Sequence, residues 1–153
     1  MDCGKVEQTL RLYQIKPSYH RIRIYQYLLE RRNHPSADMI FQSLVREIPS
    51  LSKATVYNTL HLLAGKGLVR ILGIVDNEAR FDADTMLHGH FLCTFCGCIQ
   101  DVHFQGALND LLGLENCTID ESHLYFKGRC AVCRGLEQPL EPGDEAAGPE
   151  NSS

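Results

Sequence analysis

Two cysteine pairs, Cys93-Thr-Phe-Cys96 and Cys130-Ala-Val-Cys133, carry the sharpest chemical signal in the sequence. Two Cys separated by two residues can turn both sulfurs toward one ion. Two such knuckles supply the four thiolates of a closed tetrahedral zinc site. All-thiolate coordination leaves no open position, so Zn(II) on Cys93, Cys96, Cys130 and Cys133 is expected to hold the fold and not to catalyse. Either pair alone also reads as a dithiol redox motif, but one redox motif does not account for two pairs. Cys96-Gly-Cys98 is a further short spacing. Because Cys-x-x-Cys matches the partner knuckle, Cys98 is expected to lie outside the site. Cys3 and Cys117 are expected to be plain core or surface thiols.

A second group is rich in nitrogen and oxygen donors. His88-Gly-His90 puts two imidazoles on one face if the segment is extended. Asp82 lies upstream, Asp101 follows the first knuckle, and His34 falls between two helices of the first half. Imidazole with carboxylate suits Fe(II), Mn(II) or Zn(II), and the absence of thiolate leans toward iron or manganese. Each residue singly is an ordinary exposed polar group. The residues alone therefore leave a second metal site and a bland polar surface both open. A third segment, Ser52-Lys-Ala-Thr-Val-Tyr-Asn-Thr59, opens a helix with small, polar and aromatic groups. At the start of a recognition helix Lys53 can reach phosphate or guanine, Thr55 and Thr59 phosphate, Asn58 a base edge, and Tyr57 a thymine methyl. A solvated helix face is the competing reading.

The elements that must position these groups differ between the two halves. Asp2–Tyr13 is a short helix with Val6, Leu10 and Tyr13 on one side. Pro17-Ser18 opens a second with Ile22, Tyr25, Leu28 and Leu29 inward. Ser36 caps a third with Phe41, Leu44, Val45 and Ile48 inward, ended by Pro49. Ser52 caps a fourth with Val56, Leu60, Leu63 and Ala64 inward, stopped by Gly65-Lys66-Gly67. Strands are expected at Leu68–Ile74 and Ala79–Asp82 around a turn at Asp76-Asn77-Glu78. Helices followed by a hairpin outline a winged helix-turn-helix. The second half reads as strands at His90–Cys93, Ile99–Phe104 and Leu124–Lys127, with a short helix at Leu108–Leu114.

Charge divides the chain in the same place. Of the 153 residues, 1–75 carry 11 Lys/Arg against 5 Asp/Glu, and 76–153 carry 4 against 14, so the net −4 is +6 joined to −10. A basic module on an acidic remainder tips the fourth helix toward DNA. Seven Cys is an odd number, and the start MDCGKVEQTLRLYQ lacks the apolar core of a signal peptide. No apolar run approaches the ~20 residues of a membrane helix. The expectation is a cytoplasmic chain with no membrane partner, whose cysteines serve metal or redox chemistry before disulfides. Two halves this small each need a staple.

With these residues in view, the chain resembles the Fur family of metal-dependent repressors over roughly residues 5–134. The resemblance is carried by His34-Pro-Ser-Ala-Asp38, Ser52-Lys-Ala-Thr-Val-Tyr57, Arg80-Phe-Asp82, His88-Gly-His90-Phe-Leu-Cys93, Cys96-Gly, and Gly128-Arg-Cys130-Ala-Val-Cys133. It implies an α+β homodimer: a winged-helix DNA-binding domain at 1–83, a hinge at 84–87, and a small α/β dimerisation domain at 88–136 bearing the four-cysteine zinc. An acidic disordered tail follows at 137–153. It also implies one regulatory Fe(II) or Mn(II) on His34, Asp82, His88, His90 and Asp101. The Asp of Arg80-Phe-Asp82 is similar to the peroxide-sensing PerR branch, where iron-sensing members usually carry Glu. In that branch peroxide oxidises a ligand histidine, and His34 and His88 match the oxidised positions. Leu87 and Gly89 replace two ligands of an accessory site, which is therefore expected to be absent. Ser18-Tyr19 departs from a usual Gln-Arg, His123 is displaced by one residue from a common His, and Cys98 stands where Lys is common.

The expected function is a peroxide-sensing, metal-dependent repressor on a pseudo-palindromic operator in double-stranded DNA. The alternative is an iron- or manganese-availability repressor without oxidation chemistry. An enzyme is not expected, since no His-x-Glu of a zinc deaminase and no HxHxDH of a metallohydrolase occurs. A metal-buffering or redox protein without a DNA role is the remaining class.

Overall fold

The computed structural model describes residues 3–75, 77–103, 116–119 and 122–135. The expected helix at Leu108–Leu114, the acidic tail at 137–153 and Asp76 of the expected turn lie outside the described residues. The chain divides into two compact units, Met1–Leu87 and His88–Ser153. Among the described residues, no helix is long and apolar enough to cross a membrane.

The first unit is four helices and a hairpin. These are α1 (Cys3–Leu12), α2 (Tyr19–Arg31), α3 (Ala37–Leu44), α4 (Lys53–Gly65), β1 (Arg70–Leu72) and β2 (Arg80–Asp82). Three serines start the last three helices by the same mechanism. Ser18, Ser36 and Ser52 are extended, and each side-chain oxygen accepts the amide of the third residue on, Arg21, Met39 and Thr55. This satisfies a donor the helix itself leaves unpaired. The apolar stripes then meet in one core that includes Val6, Leu10, Ile24, Ile40, Leu60 and Phe81, each at most 1% exposed.

The stripes run slightly differently from the sequence pattern. In α2 the innermost residue is Ile24, with Ile22 and Leu29 only partly buried. α1 ends at Leu12, and Gln14 turns back at φ 60, so Tyr13 points outward while Ile15 is buried. α3 stops at Leu44, short of Ile48, and Ile48 still reaches the core because its amide bonds back to the Leu44 carbonyl. β1 and β2 pair antiparallel with Arg70 opposite Asp82 and Ile71 opposite Phe81. β1 is shorter than expected at both ends, and β2 starts one residue late but ends at Asp82 as expected.

The second unit is built on a three-stranded sheet in the order β4-β3-β5: β3 (Gly89–Cys93), β4 (Ile99–Val102) and β5 (Tyr125–Gly128). β3 runs antiparallel to β4 and parallel to β5. Gly89 lets the chain preceding β5 approach β3 closely, since a Cβ there would sit 3.1 Å from the Leu124 carbonyl oxygen. The described core of this unit is sulfur: Cys93, Cys130 and Cys133 are buried, with Phe91, Phe95, Cys96 and Cys98 packed on them.

Candidate metal centres and nucleic-acid interface

The thiol cluster is assembled by backbone bonds around the Cys93–Cys98 turn. Gly97 donates its amide to the Cys93 carbonyl at 2.9 Å, and Cys93 donates its own to the Cys98 carbonyl at 2.9 Å. Gly97 sits at φ +74, a conformation that suits glycine, and this lets the loop close tightly. Thr94 fixes the turn to β5 through two bonds, N–H and Oγ1, to the Gly128 carbonyl. The second knuckle then docks by its backbone, with the Cys130 amide donating to the Cys93 sulfur at 3.3 Å. Cys96 and Cys130 bring their sulfurs to 3.9 Å. Four thiolates 2.3 Å from one zinc stand about 3.8 Å apart, so this spacing suits a shared ion.

Electrostatics favour the thiolate where the amides converge. Burial opposes ionisation of Cys93, but backbone N–H groups of Cys130, Cys96 and Phe95 outweigh it and bring the thiol down to about 6. The amide of Cys133 leads the lowering at Cys130 against its own burial. At Cys98 burial leads, followed by the neighbouring sulfurs of Cys96 and Cys130, and the thiol is pushed up to about 12. Cys133 is raised by burial and by the same kind of sulfur crowding. A cluster of crowded thiols, some ready to ionise and others held protonated by their neighbours, is what a divalent cation relieves.

The tetrad whose sulfurs all lie within 4.8 Å of one another is Cys93, Cys96, Cys98 and Cys130. Cys98, expected outside the zinc site, lies in this group of thiols, carried there by the Gly97 turn and the Cys93–Cys98 bond. The Cys96-Gly-Cys98 spacing is the signal that could have found it. Cys133 is fully buried in the same cluster. Cys117 is exposed.

The nitrogen and oxygen donors fall into one set in each unit. In the first, His34 follows α2 at φ 47, a left-handed conformation unusual for a residue with a side chain. β2 is stitched to that turn. The Phe81 amide donates to the Pro35 carbonyl at 3.0 Å, and Arg80 Nη1 donates to the His34 carbonyl at 3.4 Å. This brings Asp82 Oδ1 to 4.0 Å from His34 Nε2, both side chains being buried. Asp82 also accepts the Asp84 amide, and Asp84 accepts that of Met86, so the segment leaving β2 is a chain of Asx turns.

In the second unit, His90 lies on the central strand with Asp101 opposite it on β4 and Tyr125 opposite it on β5. Asp101 Oδ1 is 3.4 Å from His88 Nε2 and 3.8 Å from His90 Nε2. The two imidazoles pack at a tilt with centroids 4.5 Å apart and are buried. His103, which the sequence did not single out, packs against His88 at 5.9 Å. His123 Nδ1 is 2.9 Å from the Tyr125 hydroxyl. In each unit the donors are imidazole and carboxylate without sulfur, a chemistry that suits Fe(II) or Mn(II).

The opening of α4 presents Lys53, Tyr57 and Asn58 to solvent. Lys53 Nζ pairs with Asp38 Oδ1 of α3 at 2.7 Å and lies over the Phe41 ring. Both partners are more than half exposed, so the pair is weak and a phosphate can displace Asp38. Tyr57 packs at a tilt against His61 one turn later, with centroids 4.2 Å apart, and stays on the surface. Thr55 Oγ1 is engaged by Ser52 Oγ at 2.8 Å. Thr59 differs from expectation: it is 4% exposed and belongs to the inward stripe. Its place beside Leu60, at the helical spacing from Val56 and Leu63, is the pattern of a buried position.

A family model described as the ferric uptake regulator family matches residues 13–125. The chain belongs to the ferric uptake regulator family. Among curated relatives of this family member, the peroxide-responsive repressor PerR of Staphylococcus aureus strain Mu50 is 34% identical over 130 residues, covering 82% of this chain and 87% of that protein. The PerR of Staphylococcus epidermidis is 38% identical over 96 residues, which is 63% of this chain and 64% of that protein. Among solved structures, the Helicobacter pylori ferric uptake regulator Fur superposes with a TM-score of 0.73 at 17% identity, covering 90% of this chain and 97% of that one. That likeness carries the fold, a winged-helix unit joined to a small mixed unit.

Proposed function

We propose that the protein is a metal-dependent, homodimeric transcriptional repressor that senses peroxide. The observation that carries this reading is Asp82, a buried carboxylate 4.0 Å from His34. Its place in Arg80-Phe81-Asp82 is where the family separates a peroxide-responsive branch from an iron-responsive one. Relatives named for the peroxide response, at 34–38% identity, support it.

Zn(II) on the cysteine cluster stabilises the second unit, and His34, Asp82, His88, His90 and Asp101 ligate one regulatory Fe(II) or Mn(II). Because this ligand set draws on both units, ligation selects one relative arrangement of the two and thereby sets DNA affinity. The dimer presents two α4 helices to a pseudo-palindromic operator. There Lys53 and Thr55 meet the backbone, and Tyr57 and Asn58 meet base edges. When bound, Fe(II) supplies the reduction of peroxide that oxidises a ligand imidazole, His34 or His88, whereas Mn(II) does not. Loss of either imidazole as a ligand frees the DNA-binding unit and releases the operator.

The test is a gel shift over a salt series with and without Mn(II). Binding that requires Mn(II) and weakens steeply with salt is expected; no binding in either state rejects the repressor. An iron- or manganese-availability repressor would use the same ligands reversibly, and release without covalent change would favour it.

A further inference from the structure

The described residues of the second unit hold five clustered thiols, one more than a tetrahedral zinc takes. Cys93, Cys96 and Cys130 are common to every arrangement: Cys93 carries the amide of Cys130, and Cys96 and Cys130 stand 3.9 Å apart. The fourth place has two claimants. Cys98 completes a tetrad with all sulfurs within 4.8 Å, so each needs to move by less than about 1 Å to reach ideal zinc spacing. Cys133 is fully buried, packed against Cys93 and Cys130, and lies at the start of the short 3-10 turn Cys133–Gly135. The two arrive from different parts of the chain, Cys98 on the loop before β4 and Cys133 after β5.

We propose that Cys98 and Cys133 are alternative fourth ligands of one zinc, exchanging over a fixed base of Cys93, Cys96 and Cys130. The inference rests on the structural zinc of the proposed function and adds a ligand that the paired Cys-x-x-Cys spacing does not supply. Its consequence is that blocking either thiol leaves a complete tetrad. The zinc then survives a single modification at that corner, while modification of any base cysteine releases it.

The test uses the full chain, purified anaerobically under reducing conditions and exchanged into thiol-free buffer. Native zinc-loaded protein is pulsed with N-ethylmaleimide and its cysteine peptides are quantified by mass spectrometry, with zinc measured in parallel. Labelling of the Cys98 and Cys133 peptides should sum to about one thiol per subunit, with neither near zero, while Cys93, Cys96 and Cys130 stay protected. C98S and C133S should each retain about one zinc through mild chelation, and C98S/C133S should lose it. Full labelling of Cys98 with Cys133 protected, in a wild-type chain that holds one zinc, overturns the exchange and leaves the zinc reading intact. Because this readout needs no substitution, poor folding of C133S does not blunt it. A wild-type chain that holds no zinc overturns both.

Discussion

The two units solve the problem of small size differently. The described part of the first buries a contiguous apolar core from all four helices and the hairpin, with Val6, Leu10, Ile24, Leu60 and Leu63 inaccessible. Apolar surface removed from water contributes roughly 25 cal/mol per Å², and this burial is what stabilises the described part of that unit. In the described part of the second, the buried centre is three cysteines flanked by two aromatics. Burial and then neighbouring sulfurs push the Cys98 thiol up there, converging backbone amides bring Cys93 down, and on the proposed reading the gain comes when a cation accepts the thiolates. On the proposed reading one unit is therefore stabilised by its packing, and the other by the zinc it acquires.

The largest expected effect breaks the units apart energetically. Stripping zinc with a strong chelator, or substituting Cys93→Ser, should unfold the second unit while the first keeps its helices. Limited proteolysis followed by circular dichroism of the surviving fragment checks this. Structural zinc in small domains contributes on the order of 10 kcal/mol or more, so partial effects are not expected. The converse lesion is Phe81→Ala. It should cost the first unit about 3–5 kcal/mol in a denaturant titration, because the ring is 1% exposed, and leave the zinc content unchanged.

A smaller effect concerns the DNA-facing surface alone. Lys53→Ala should weaken operator binding about equally across sequences and reduce the slope of log affinity against log salt by about 1, as loss of one phosphate contact does. Stability should barely change, since the Lys53–Asp38 pair is exposed. The smallest effect is a pH dependence at the α2 surface. Hydrogen bonding from Arg23 holds the Glu47 carboxyl below its usual range. A lowered acid contributes stability above its unfolded value and loses it as pH falls through the lowered native value. The difference in denaturation midpoint between wild type and Glu47→Gln should accordingly shrink on acidification from neutral pH into that range.

Much of this fold was legible because local rules and global packing agree. Three serine caps announce three helices. The misplacements have physical causes. Tyr13 satisfies the helical period, but the helix ends before it at a left-handed turn, which periodicity does not encode. Thr59 was read for its hydroxyl although its position on α4 buried it. That Cys98 joins the thiol group is not written in the paired Cys-x-x-Cys spacing, because a glycine turn and a single backbone bond decide where a fifth sulfur points. The pairing of Asp101 with His90 across β3 and β4, and the stitching of β2 to the His34 turn, are tertiary facts. Spacing alone could suggest those donors but not bring them together.

In the proposed function the nitrogen and oxygen donors report peroxide through their own oxidation. The direct measurement is peptide mass spectrometry on the anaerobic Fe(II)-loaded dimer, treated with peroxide and followed in parallel for operator binding. One added oxygen atom on a His34- or His88-containing peptide, in step with loss of DNA and absent from the Mn(II)-loaded protein, is the predicted result. Release of DNA with both peptides unmodified, and full recovery on fresh metal, would contradict it.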